Sequence, residues 1–520
     1  MKAANEGGRP IAILRWPFAA TLAALAILPF LFTAIPPLTD VPGHLGGFAV
    51  QTAHPGDPLL RYFSFHWTLT LNLASDLIVQ ATHRWIGLFP VVWLMSALTP
   101  ALTVLGIVAI ARQLNRHGAS ALPWALLFVF NFPFLWGFLN YSFTLALALL
   151  AFGGWLALER SPGWRAPLFL AIVPLLLIGH GVAGIVCVGL IVSHAIGETL
   201  AGRHPGNLTR LWPPILATVA TVVIWKLFGA SGTGATHWLA ARKGDALAMM
   251  LRDQNRILDI ASVVAALLVA LAGWLWGARL RGGALAAVLF VIVLLVVTPS
   301  MVSGSDRLDT RLGPLIPMLI FAAQDWSPVG ARRRRMVTAA GFALLALRFA
   351  VTTASFIGYG ERYDRELAAL DHVPQGARIL NLTRVNCVDA GWRSERLEHL
   401  ANLATPLRGA WVNAHWSIDG LQLLQVRYRP SADYAQDPSQ LVWPARCVDF
   451  SQPFASRSRH TLVETIPTLP LDKVDYLWLI GERLPPGARD PRWRLIWADD
   501  LSELYATRPA SPVTPAPSNR

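Results

Sequence analysis

Apolar positions along this chain fall in long unbroken runs, with little of the striping of soluble helices or the alternation of strands. The first run covers 16–35 and follows Lys2, Arg9 and Arg15. Others cover 90–111, 121–136, 138–158, 166–180, 181–197, 211–228, 257–277, 283–303, 312–325 and 336–358. A hydrocarbon core about 30 Å thick demands helices of this order, so the pattern predicts about eleven spans. The pairs 121–158 and 166–197 are each too long for one helix and short for two, which predicts two tight hairpins. The first run is too long for a signal-peptide core and no small-residue cleavage site follows it, so it is expected to stay as a span.

The polar segments between the runs alternate in character. Arg112 and Arg116, Arg160 and Arg165, Arg203 and Arg210, Arg279 and Arg281, and Arg332 to Arg335 fall on the side of the N-terminus. Basic loops mark the cytoplasmic side, which predicts an inner N-terminus and an outer C-terminal tail, periplasmic in a Gram-negative source. The outer side then holds loops at about 36–89, 229–256 and 301–312. The domain reading is a membrane domain over 1–358, an outer domain over 359–508 and a disordered Pro/Ser/Ala-rich end over 509–520. The tail opens with a helical pattern at 361–372, then strand-like runs at 377–383, 409–416, 474–480, 492–497 and 503–507, which predicts a small α/β or α+β domain. The fold class expected is an α-helical polytopic membrane protein with a small C-terminal α/β domain.

Composition sharpens this. Of 520 residues, 54% are hydrophobic and 14% charged, against about 25% charged in ordinary soluble proteins. Lys and Arg total 44 against 31 Asp and Glu, a net charge of +13. Because the arginines sit between apolar runs, this charge reads as topological, and no nucleic-acid partner is expected. Cys187 lies in a span as an apolar filler. Cys387 and Cys447 lie in the tail, where an oxidising compartment would favour a disulfide closing a loop of about sixty residues, worth roughly 4 kcal/mol. No zinc ligand set or Gly-rich phosphate loop follows a strand.

The candidate chemistry gathers on the outer side. Asp40 follows Pro36-Pro37 and precedes Val41-Pro42-Gly43-His44. Two readings stand: Asp40 or Thr39 caps a short helix with Pro42 in its first turn, or Asp40 is a carboxylate held at the membrane surface to activate an acceptor hydroxyl. His44, four residues on, faces the same side of any helix there. A second loop helix is expected at 71–86, with Leu73, Leu77, Ile78, Ala81 and Trp85 forming an interfacial stripe and Asn72 and Asp76 on the other face. Asn140 and Tyr141 sit at one outer turn, as turn and anchor residues or as site residues. His180 sits at another between Gly179 and Gly181, while Lys226 can snorkel and His194 packs nearer the inner side. Arg307 and Arg311 either pair with Asp306 and Asp309 or serve a phosphate. Arg348 lies about 18 Å along its span from Met336, where an unpartnered Arg costs roughly 2.5–3.5 kcal/mol, so it is either a buried functional Arg, the favoured reading, or structurally paired.

These motifs resemble the GT-C superfamily of membrane glycosyltransferases. Leu38-Thr39-Asp40-Val41-Pro42-Gly43-His44-Leu45 is similar to the Asp-x-Pro-x-His-Leu opening of bacterial members. Trp136-Gly137-Phe138-Leu139-Asn140-Tyr141 resembles a Gly-Phe-Leu-Asn turn, and Asp306-Arg307-Leu308-Asp309-Thr310-Arg311 an Asp/Arg loop before a late span. Val373-Pro374-Gln375-Gly376-Ala377-Arg378-Ile379-Leu380 resembles the opening of an outer soluble domain. The protein-mannosyltransferase branch has Asp-Glu at the catalytic position, whereas Val41 follows Asp40 here. The resemblance implies inverting transfer of a hexose or pentose from a polyprenyl-phosphate donor to a lipid or polysaccharide acceptor of the cell envelope, at the outer face of the inner membrane, among membrane lipids. By position it implies Asp40 as the base or acceptor-orienting residue; the candidate substrate contacts, read from their placement, are His44, Asn140, Tyr141, His180, Arg307, Asp309, Arg311 and Arg348. Participation of a divalent cation stays open. The rivals are a lipid-linked glycan transporter or flippase and a non-catalytic envelope scaffold. The first would want internal repeats and intramembrane carboxylates, and only Asp259, at one span end, is of that kind.

Overall fold

The computed structural model describes residues 12–115, 118–203, 205–386, 392–444 and 460–507. Six helices are long and apolar enough to cross a membrane: Leu88–Leu114, Leu139–Ala157, Gly181–Leu200, Leu208–Phe228, Arg256–Leu275 and a final helix running Ala331–His372. Three shorter apolar helices, Trp16–Phe32, Gly163–Gly179 and Gly283–Val297, accompany them. The outermost helices turn apolar side chains outward: Leu216, Val219, Val223, Leu227 and Phe228 on one, Leu267, Leu268, Leu271 and Leu275 on another. Water would penalise such faces and lipid would not, so these helices are compatible with a multi-pass membrane protein.

Two of the apolar runs depart from the expectation of membrane-length helices. The run at 121–136 forms two five-residue helices, Leu122–Leu126 and Phe132–Trp136. The run at 312–325 forms only Leu315–Ala323. Pro123, Pro133 and Pro317 each stand in the first turn of their helix and so mark fresh helix starts, and Asn131 opens the second short helix by accepting from Phe134 N at 3.1 Å. Both passes are enclosed by protein, with Phe128, Leu135, Leu312 and Leu315 fully buried. Non-helical backbone is tolerated at membrane depth only when so enclosed. The hairpin at 166–197 forms as expected: Pro162–Gly179 and Gly181–Leu200 are joined by His180 alone.

The pattern at 361–372 is no separate helix. The last span continues unbroken through Ala331–Leu367, about 55 Å at 1.5 Å per residue, and carries the chain into the tail. The tail sheet centres on β4 (Arg378–Arg384). It is parallel to β8 (Tyr476–Ile480) on one side and to both β5 (Trp411–Val412) and β7 (Leu441–Val442) on the other. β10 (Glu503–Ala506) adds antiparallel to β8, and β9 (Arg494–Ala498) closes that edge. Leu380, Leu382, Leu477, Leu479 and Tyr505 fill its core.

The tail is stitched to the membrane domain. β1 (Phe63–Phe65), from the loop after the first apolar helix, pairs antiparallel with β6 (Leu424–Val426) of the tail, while β2 (Met301–Val302) and β3 (Ser305–Asp306) pair with each other. The loop helix Val41–Gln51 packs against the tail segment Leu400–Arg408. A Cβ on Gly46 would come within 2.3 Å of the His415 ring, so this approach requires glycine. The second loop helix, Ala74–Ile86, exposes Leu77, Ala81 and Trp85 and buries Ser75 and Val79. Of the expected stripe, Leu77, Ala81 and Trp85 face outward, while Leu73 is buried and Ile78 packs on the core. Cys387 and Cys447, and the proposed disordered end, fall outside the described residues.

Candidate functional site

Asp40 heads the helix Val41–Gln51, and its carboxylate makes no capping bond. Pro42 in the first turn already removes one orphan donor. The backbone is held from behind instead: Asp40 N donates to Trp136 O at 2.9 Å. That approach needs Gly137, with φ +98°, where a Cβ would lie 2.8 Å from Asp40 N. The Trp136-Gly137 turn therefore fixes the carboxylate, and the Trp136 side chain hydrogen-bonds to it.

The carboxylate faces charges from two parts of the chain. Burial pushes its pKa well above the usual carboxylate range. The Arg311 and Arg307 guanidiniums pull it back, while Asp437 pushes it further up. Arg307 stacks over Trp136 at 4.5 Å and pairs with Asp306 at 3.6 Å. Arg311 lies over the Phe138 ring at 4.0 Å, donates to His180 Nε2 at 3.1 Å, and donates to Asp306 O at 3.1 Å. Tyr141 donates its hydroxyl to Arg311 O at 2.6 Å and meets the His180 ring edge-on at 5.2 Å. Burial lowers the Arg311 pKa to about 10, which leaves it charged at neutral pH. Arg311 Nε and His180 Nδ1 are buried with no protein partner.

The tail closes the other side. His399, 3% exposed, places Nε2 3.9 Å from Asp40 Oδ1 and 3.7 Å from Glu398 Oε1, and Nδ1 3.9 Å from Asp437 Oδ1. Burial pushes the His399 pKa down to about 3, so the ring is neutral and these contacts are not ion pairs at neutral pH. Glu398 is pushed well up by burial and by the neighbouring charges of Asp437 and Asp40. His44 stacks on Phe48 and leans on Trp416, which also meets His399 at 4.6 Å. Its pKa is lowered to about 4, by burial first and then by His399. Ligand atoms of Glu398, His399 and Asp437 lie within 4.8 Å of one another, a spacing that can hold a metal ion.

Of the residues singled out in the sequence, Asp40, His44, Arg307, Arg311, His180 and Tyr141 come together here. Asn140 does not join them. Its Oδ1 accepts from Ser75 N and Ser75 Oγ, both at 2.6 Å, and its Nδ2 donates to Asn72 O at 3.0 Å, which pins the interfacial helix to the span Leu139–Ala157. Asp309, fully buried, accepts from Lys243 Nζ at 2.9 Å and Ser300 Oγ at 2.6 Å, and so braces the loop rather than pairing with Arg307 or Arg311. Arg348 bonds Asp259 Oδ1 at 3.0 Å, Ser262 Oγ at 3.3 Å and Leu251 O at 3.2 Å, in a closed network. Glu398, His399 and Asp437 were not singled out by sequence reasoning. Their only local signal is the adjacency of Glu398 and His399 in a tail otherwise read as strands. Comparison of the chain with family models, curated proteins and solved structures returns no match.

Proposed function

We propose that this protein is a membrane glycosyltransferase that moves a hexose or pentose from a polyprenyl-phosphate carrier to a cell-envelope acceptor, with inversion, on the outer face of the inner membrane. The uncapped carboxylate of Asp40, facing Arg311 and Arg307, carries this reading. The acceptor oxygen attacks the anomeric carbon as the bond to the carrier phosphate breaks. The acceptor proton passes to Asp40, and the phosphate leaves toward Arg311 and Arg307, whose donors favour the developing anion. His180 orients Arg311 through the bond to its Nε2, and Tyr141 holds the Arg311 backbone. The outward apolar stripe of Ala74–Ile86, anchored by Asn140, supports a lipid-borne substrate arriving along the membrane surface.

The test supplies purified full-length protein in proteoliposomes with a panel of labelled polyprenyl-phosphate sugars and envelope lipid or polysaccharide acceptors. Release of free polyprenyl phosphate with label on the acceptor is expected. Movement of intact lipid-linked glycan between leaflets, with no cleavage of any donor, would overturn the reading in favour of a flippase.

A further inference from the structure

The tail side of the site holds three carboxylates around one neutral imidazole. Asp40 comes from the first outer loop, Glu398 and Asp437 from the tail, and His399 lies between them at 3.7–3.9 Å. Among the described residues, no Lys or Arg lies within ion-pair distance of Asp40 or Glu398. Asp437 Oδ1 also accepts from Gln440 Nε2 at 2.7 Å. His399 Nδ1 is buried, directed at Asp437 and without a hydrogen-bond partner. These separations are too long for hydrogen bonds. One ring nitrogen can serve one ion, and one ligand atom from each of Glu398, His399 and Asp437 lies within 4.8 Å of the others, the scale of the about 4.2 Å between opposite ligands at bond lengths of about 2.1 Å.

The geometry points to a divalent-cation site formed by Glu398, His399 and Asp437, with Asp40 at its open edge. One imidazole nitrogen ligates the ion while the other faces a carboxylate, the arrangement that orients metal-bound histidines. Two or three hard carboxylate oxygens with a single imidazole suit Mn²⁺ among the divalent ions. The binding claim stands on this cluster alone. Its role rests on the transferase reading: the ion would keep Asp40 ionised beside the acceptor and draw the tail and the first outer loop into one closed site.

The experiment uses chelator-treated, full-length protein titrated with Mn²⁺, following loss of the free-ion electron paramagnetic resonance signal, with Tm recorded alongside. One saturable site per chain is expected, together with a rise in Tm. Glu398→Gln and Asp437→Asn should each weaken binding at least tenfold while keeping the ion-free Tm of the wild type, which separates loss of a ligand from misfolding. Absence of a saturable site, or binding unchanged in the Glu398→Gln/Asp437→Asn double variant, overturns the proposal. Transfer that persists with chelator and no bound ion removes the cation and leaves the transferase reading standing. Saturable binding with no donor cleavage does the reverse.

Discussion

Two regions of this protein bury charge near the junction of membrane domain and tail, and they resolve it in opposite ways. The Arg348 guanidinium and the Asp259 carboxylate it meets are both partnered. The guanidinium meets Asp259, Ser262 and the Leu251 carbonyl, and Asp259 Oδ2 accepts from Asp253 N at 2.8 Å and from the Trp392 indole at 2.7 Å. Farther out the closure is partial: Arg396 Nη2 pairs with Asp253 at 2.6 Å and Ser394 N donates to Asp253 O, but Arg396 Nε, Arg396 Nη1 and Ser394 Oγ are buried without partners. Around Asp40 the accounting stays open: Thr39 Oγ1, His180 Nδ1, Arg311 Nε, His399 Nδ1 and Asn402 Oδ1 are all buried without partners. A closed network holds domains together, whereas uncompensated polar atoms cost free energy and persist where a substrate or ion completes them. An arginine deep in a span drew a functional reading from its sequence position, yet its partners make it a bolt between the last span, the span Arg256–Leu275 and the tail.

The comparison predicts opposite phenotypes. The largest effect belongs to Asp40→Asn. Transfer should fall on the order of 10³-fold, within the range for a general base, while Tm stays at or above the wild-type value. An isosteric amide removes a charge that burial disfavours. Arg348→Leu should do the reverse. It leaves Asp259 buried and unpaired, which costs about 3–5 kcal/mol, while transfer per folded molecule is retained. An Arg348→Leu/Asp259→Leu double variant should recover much of the stability, as read by thermal unfolding in detergent.

Asp76 is intermediate, half-satisfied on the polar face of the interfacial helix. Burial raises its pKa from 3.8 to about 6, against bonds from its own backbone and from Asn140. Because the folded-state value exceeds the unfolded one, its contribution to stability is present below about pH 4 and is lost as pH rises through about 6. Asp76→Asn should flatten that slope and add up to about 3 kcal/mol at pH 7, seen as a higher Tm at neutral but not acid pH. The smallest effect is expected from Arg311→Lys, which keeps charge but loses the fork joining His180 and Asp306. Transfer should drop about tenfold, with donor KM rising more than kcat falls.

What the sequence made legible follows from which signals are local. Alternation of branched and aromatic residues located β4, β8, β9 and β10 to within two residues, whereas β6 and β7 are too short to show a period. The short helices at 121–136 and 312–325 were missed because total apolarity hid the helix starts that Pro123, Pro133 and Pro317 mark. Asp40, Arg307 and Arg311 stood out because charges beside long apolar runs are conspicuous. The facing wall of Glu398, His399 and Asp437 did not, since it reaches Asp40 across more than three hundred residues through the β1–β6 pairing and the glycine contact at Gly46.

The open cluster at Asp40 is the centre of this account, and one measurement addresses it directly. Release of polyprenyl phosphate from a labelled donor is compared in the same proteoliposomes for wild type, Asp40→Asn and the Arg348→Leu/Asp259→Leu pair, each normalised to folded protein. The account predicts release by the wild type and by the paired variant, and near-background release by Asp40→Asn. Full release by Asp40→Asn, or loss confined to the Arg348 variant, would contradict it.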